Sequence, residues 1–74
     1  MARNFVHVKK QGDQWAVAHE GRSRPDSTHR TQERAISAGR RVAKTEQTEL
    51  VVHGRGGRIR DRFSYGSDPR RSKG

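Results

Sequence analysis

The chain has 74 residues, 27% of them hydrophobic, and its 17 lysines and arginines against 8 aspartates and glutamates leave a formal charge of +9. So short a chain makes one domain and buries only about 60% of its unfolded surface, and the absence of cysteine removes disulfides and thiolate metal sites as supports. The remaining ways to reinforce so thin a core include a second subunit, so a homodimer is one expectation.

Arginine outnumbers lysine thirteen to four, and an excess of this kind bears on partners (DNA, RNA or anionic lipid) and not on fold. No stretch approaches the roughly 18 apolar residues of a membrane span. After Met1-Ala2-Arg3 comes Asn4-Phe5-Val6-His7-Val8-Lys9-Lys10, which lacks the apolar run of a secretory signal. The expected location is cytoplasmic.

Residues 4–20 read as a hairpin. Val6 and Val8 share one face of the first strand, with Phe5, His7 and Lys9 on the other. In the second strand Trp15, Val17 and His19 alternate with Ala16 and Ala18. A two- or four-residue loop centred on Gly12-Asp13 pairs Val8 with Val17 and Lys10 with Trp15, which keeps the apolar faces together; a three-residue loop would mix them. Residues 21–30 carry Gly21 and Pro25 and no apolar anchor, so a mobile basic loop is expected there.

A helix follows. Thr31 is a suitable N-cap and Glu33 suits the positive end of the helix dipole. Ala35, Ile36, Gly39, Val42 and Ala43 recur at three and four as one apolar stripe, and the end falls near 45–47. Gly39 costs about 1 kcal/mol against alanine in a helix interior, so its place on the stripe suggests close approach to the sheet. Arg34, Arg41 and Lys44 make a basic outer side, and charge on a helix exterior is usually solvated.

A second hairpin spans about 48–64, turning at Gly54-Arg55-Gly56-Gly57. A loop centred on Arg55-Gly56 sets Val52 against Ile59 and Glu49 against Arg62. Leu50, Val52, Ile59 and Phe63 then share the core face with an awkward Asp61, and Val51, His53, Arg58, Arg60 and Arg62 share the other. The expected fold is α+β in the order ββαββ: two antiparallel hairpins form a sheet with one amphipathic helix on one face. It occupies residues 1–66, with a frayed basic tail at 67–74. The strand after the helix could lie beside the first strand or parallel to the second.

Gly12 with Trp15-Ala16-Val17, then His29-Arg30-Thr31-Gln32 with Ala35-Ile36, then the long run from Glu49 to Arg62, and Ser64-Tyr65-Gly66-Ser67-Asp68-Pro69 together resemble the bacterial domain-of-unknown-function family numbered 2188, over about residues 5–69. The resemblance implies no activity. Arg34 stands where members look acidic or small, and Arg70-Arg71 where apolar or proline residues are expected, so this chain is more basic than its relatives.

The alternation of Arg58, Arg60 and Arg62 is the sharpest functional pattern. In a regular strand all three project from one side at intervals of about 6.6 Å, a ladder suited to neutralising successive phosphates. Arg55 at the turn and Lys9 extend it, and Phe5 and His7 offer rings for base stacking. The expected site is therefore a nucleic-acid surface of Arg55, Arg58, Arg60, Arg62, Lys9, His7 and Phe5. The competing readings are a solvated edge kept charged against aggregation, or a protein interface with Phe5, Val51, Ala16 and Ala18 at its centre.

Other chemistry finds little support. Gly54-Arg55-Gly56-Gly57 lacks the lysine-serine/threonine ending of a phosphate loop and leads into a strand. The four histidines have no zinc-site spacing, Trp15 belongs to the core, and Ser64 has no base in view. The helix stripe lacks the bulky anchors of a membrane-surface helix. The expectation is a non-enzymatic binding module with no metal or cofactor, no small-molecule substrate and no membrane partner.

Overall fold

The computed structural model describes residues 5–66; the expected tail at 67–74 and the first four residues of the expected domain lie outside them. In chain order the elements are β1 (Val6–Gln11), β2 (Gln14–His19), β3 (Ser27–His29), α1 (Gln32–Glu46), β4 (Glu49–His53) and β5 (Ile59–Ser64). The five strands form one mixed sheet in the order β3-β2-β1-β4-β5. The α+β class with one helix on one face holds, while the order ββαββ gains a fifth strand before the helix.

The first hairpin has the expected register, Val8 opposite Val17 and Lys10 opposite Trp15. Its two-residue loop starts at Gly12 with φ +63°, the left-handed conformation that such tight turns require and glycine supplies without strain. The connection beyond it is not the loose basic loop that its composition suggested. Residues 27–29 pair antiparallel with β2, Trp15 opposite His29 and Val17 opposite Ser27, and Asp26 N donates to Val17 O at 2.7 Å. His19 clamps the segment: Nδ1 meets Asp26 Oδ2 and Nε2 lies 2.8 Å from Glu46 Oε1. Backbone pairing and polar contacts hold β3, so no apolar pattern marks it.

Thr31 caps α1 by accepting from Arg34 N at 3.1 Å, and Gln47 ends it in a left-handed conformation, φ 55°. Ala35, Gly39 and Ala43 are the buried positions, flanked by half-buried Ile36 and Val42. Gly39 permits the close approach expected of it. A Cβ there would stand 2.9 Å from Leu50 Cδ1 and 3.1 Å from Val8 Cγ2.

After the helix, β4 lies parallel beside β1, with Val6 opposite Leu50 and Val8 opposite Val52. This settles the open strand order in favour of the first strand. Val6, Val8, Trp15, Val17, Leu50 and Val52 join Ala35 and Ala43 in the core. The second hairpin departs from its expected register. Val52 pairs with Asp61 and Leu50 with Phe63, but His53 pairs with Ile59, so a bulge leaves an extra residue, Arg60, in β5. The turn causes it: Gly57 N donates to Gly54 O and Gly54 N to Arg58 O, and this closure is one residue out of step with the pairs below. A bulge of this kind reverses the facing of what precedes it. Ile59, expected in the core, is 57% exposed, whereas Phe63 keeps its inward place and packs on the core.

Candidate nucleic-acid interface

The parallel pairing of β1 with β4 decides which charges meet. Both strands finish at the same end of the sheet, β2 and β5 start there, and β3 delivers the chain into α1 at that end. Gln32, the first helical residue, ties the corner by donating Nε2–H to His53 O at 3.1 Å. Lys9 and Lys10 at the end of β1, Arg30 and Arg34 around the helix start, and Arg55 and Arg58 in the β4–β5 turn therefore collect at one end, all exposed. None of the six has a carboxylate within ion-pair distance among the described residues. Asp13, Glu33 and Asp61 share this end, whereas Glu20, Asp26, Glu46 and Glu49 belong to the opposite one.

The three-arginine ladder does not form. Arg58 precedes β5 and belongs to the turn, where its carbonyl accepts from Gly54 N at 2.7 Å. Arg60 is the residue displaced by the bulge, and its guanidinium donates to Gln32 Oε1 at the helix start. Arg62 alone keeps the expected outward position, opposite Val51, and its Nε lies 3.6 Å from Glu49 Oε1. That oxygen is buried and accepts no hydrogen bond, so the Arg62 charge is its compensation. Strict alternation fails because it presumes a regular strand.

The face of the sheet away from α1 carries Phe5, His7 and Lys9 as expected. Across it, Ala18, His7, Val51 and Arg62 form one row. Ala16, Ala18 and Val51 are already buried, at 0%, 7% and 2% exposure, between larger side chains. Phe5 sits half-buried at the acidic end, its backbone paired with Glu20, whose N donates to Phe5 O at 2.9 Å. It is remote from Arg55 and Arg58.

His7 and His53 meet on this face, Nδ1 to Nε2 at 2.9 Å. Their centroids are 5.1 Å apart and their planes differ by 28°, a separation close to the N···N contact plus two ring radii. The rings therefore lie end to end, hydrogen-bonded in plane. His53 Nδ1 is 3.4 Å from Gly57 O, and a carbonyl only accepts, so His53 carries its proton on Nδ1 and receives one from His7 Nδ1–H. His7 Nε2 then faces Glu20 Oε2 at 3.9 Å. Burial is the first cause that holds the His7 pKa below its ordinary value; charge on His53 and Lys9 adds to it and Glu20 opposes it.

Sequence reasoning left Lys10, Arg30 and Arg34 out of the site and drew no link between His7 and His53. The β1–β4 adjacency, one of two open strand orders, brings His53 and the β4–β5 turn to this end, and the unexpected pairing of β3 with β2 brings Arg30 and Arg34 beside Lys10. Of the other basic helix positions, Arg40 lies over the Phe63 ring at 5.1 Å and Lys44 over Tyr65 at 5.8 Å, as Lys10 does over Trp15 at 5.8 Å, while Arg41 is exposed at the far side of the helix. No helix among the described residues is long and apolar enough to cross a membrane.

No curated protein and no solved structure matches this chain. A family model does match, over residues 6–65, which takes in every strand and the helix. The chain thus belongs to the family described as "Uncharacterized protein conserved in bacteria (DUF2188)".

Proposed function

We propose that this protein binds nucleic acid through its phosphates, with little sequence preference, at the end of the sheet where β1, β4 and the start of α1 converge. The reading rests on one observation: Lys9, Lys10, Arg30, Arg34, Arg55 and Arg58 are exposed there with no carboxylate partner among the described residues. Unpaired cations are the ones that release counterions from a polyanion at no cost in broken ion pairs. The formal charge of +9 adds long-range attraction. Phosphate contacts of this kind position a protein without reading bases, and the function involves no catalytic step.

Binding to a short duplex, followed by fluorescence anisotropy across a salt series, tests it. The double substitution Arg55→Ala and Arg58→Ala should lower the slope of log K against log salt by about 2. Arg62→Ala should change it less, because Glu49 already engages that charge. An unchanged slope in the double variant rejects the assignment.

The competing reading, a homodimer through the outer sheet face, has less support. Val51, Ala16 and Ala18 are already covered within one copy, leaving Ile59 as the exposed large hydrophobic.

A further inference from the structure

Along the outer face, between Lys9 and His53 towards the cationic end and Glu20 and Arg22 at the opposite end, runs a shallow cleft of about 330 Å³ that Ala18 and His7 also line. We infer that this cleft receives an unpaired base of a single-stranded nucleic acid, stacked on the joined imidazoles of His7 and His53. The inference rests on the phosphate-binding reading and names its preferred substrate.

The side chains suit that occupant for separate reasons. The floor is Ala18, small enough to leave space between β1 and the turn that follows β2. Three of the four imidazole nitrogens are engaged, His7 Nδ1 with His53 Nε2 and His53 Nδ1 with Gly57 O; His7 Nε2, an acceptor in this tautomer, faces the Glu20 carboxylate at 3.9 Å without a hydrogen bond. What the pair retains for a ligand is its ring faces and that one lone pair. Lying end to end within 28° of coplanar, the two rings form one platform broad enough for a purine. Such aromatic platforms are how proteins hold splayed-out bases, and stacking tolerates any base.

The polar rim completes the match. The Glu20 side chain is 54% exposed and can accept from the N–H groups on a base's pairing edge, which a duplex keeps occupied. Lys9, exposed and without an acidic partner among the described residues, stands between the cleft and the cationic end, where it can meet the phosphate of the same nucleotide. His53 immediately precedes the turn that carries Arg55 and Arg58, so a strand whose phosphates lie on that turn has the cleft within one or two nucleotides.

The test compares three probes of equal length on the wild-type protein: a single-stranded oligonucleotide, the matching duplex, and a single strand with abasic sites. The single strand should bind about tenfold tighter than the abasic strand, the value of roughly one stacked base. Ala18→Leu, which fills the floor, should erase that difference and leave abasic and duplex binding unchanged; amide shifts at Ala18 and Glu20 on adding a nucleoside monophosphate give a readout without a variant. If intact and abasic strands bind equally, the base-binding cleft is refuted and the phosphate reading stands. If none of the three probes binds, the phosphate reading fails and this inference with it.

Discussion

Gly39 offers the sharpest test of how the helix is seated on the sheet. Gly39→Ala adds one methyl group, and two opposed terms can be weighed. Alanine gains about 1 kcal/mol of helix propensity. Its Cβ would stand 2.9 Å from Leu50 Cδ1 and 3.1 Å from Val8 Cγ2, well inside the 3.5–4.0 Å or so at which carbon pairs attract. Leu50 and Val8 are fully buried and cannot swing into solvent, so the helix must lift or the core must shift, at about 1–3 kcal/mol. Steric cost wins, and the net loss is about 1 kcal/mol, or roughly 4–8 °C in Tm for a domain of this size. Leu50→Val removes the nearer obstacle; in that background Gly39→Ala should be neutral or stabilising, a coupling of about 1–2 kcal/mol. Urea unfolding read by Trp15, the single tryptophan and 5% exposed, measures all four proteins. Stabilisation by Gly39→Ala alone would show that the groove is slack and that close approach is not why glycine stands there.

The other expectations concern histidines. His19→Ala removes the contacts to Asp26 and Glu46 that tie β3 and the end of α1 to β2, so amide exchange at Ser27–His29 should accelerate at least about tenfold while Val6 and Leu50 keep their protection; unchanged exchange would mean that backbone pairing alone holds the edge. His7 has a folded pKa below its unfolded value, so below pH 6.5 the unfolded chain binds the extra proton more readily and stability falls as pH drops through that window. His7→Gln should flatten this part of the stability profile as the pH falls below about 6.5, and an identical profile in the variant would exclude His7 as its source.

The locally encoded parts of the fold were legible in the residues. Period-two alternation around Gly12-Asp13 set the first register, because a slip would have put Val8 and Val17 on opposite faces. Thr31 and the stripe from Ala35 to Ala43 marked the helix through caps and periodicity. The short strand Ser27–His29 was illegible because its hold on β2 is backbone pairing and a histidine clamp, neither of which leaves an apolar pattern. The bulge at Arg60 was equally hidden: it follows from how the turn closes between Gly54 and Arg58, and it dismantled the alternation on which the arginine ladder depended.

Composition and local pattern by themselves determined that this chain is a strongly basic α+β domain with its first hairpin and helix where they are, since charge is additive and periodicity acts over a few residues. Which cations stand together, and that His7 meets His53 across 46 positions, was decided by the parallel seat of β4 beside β1 and by one bulge. Those are long-range choices, settled by packing Leu50 and Val52 against Gly39 and the first hairpin, and no short window of residues contains them.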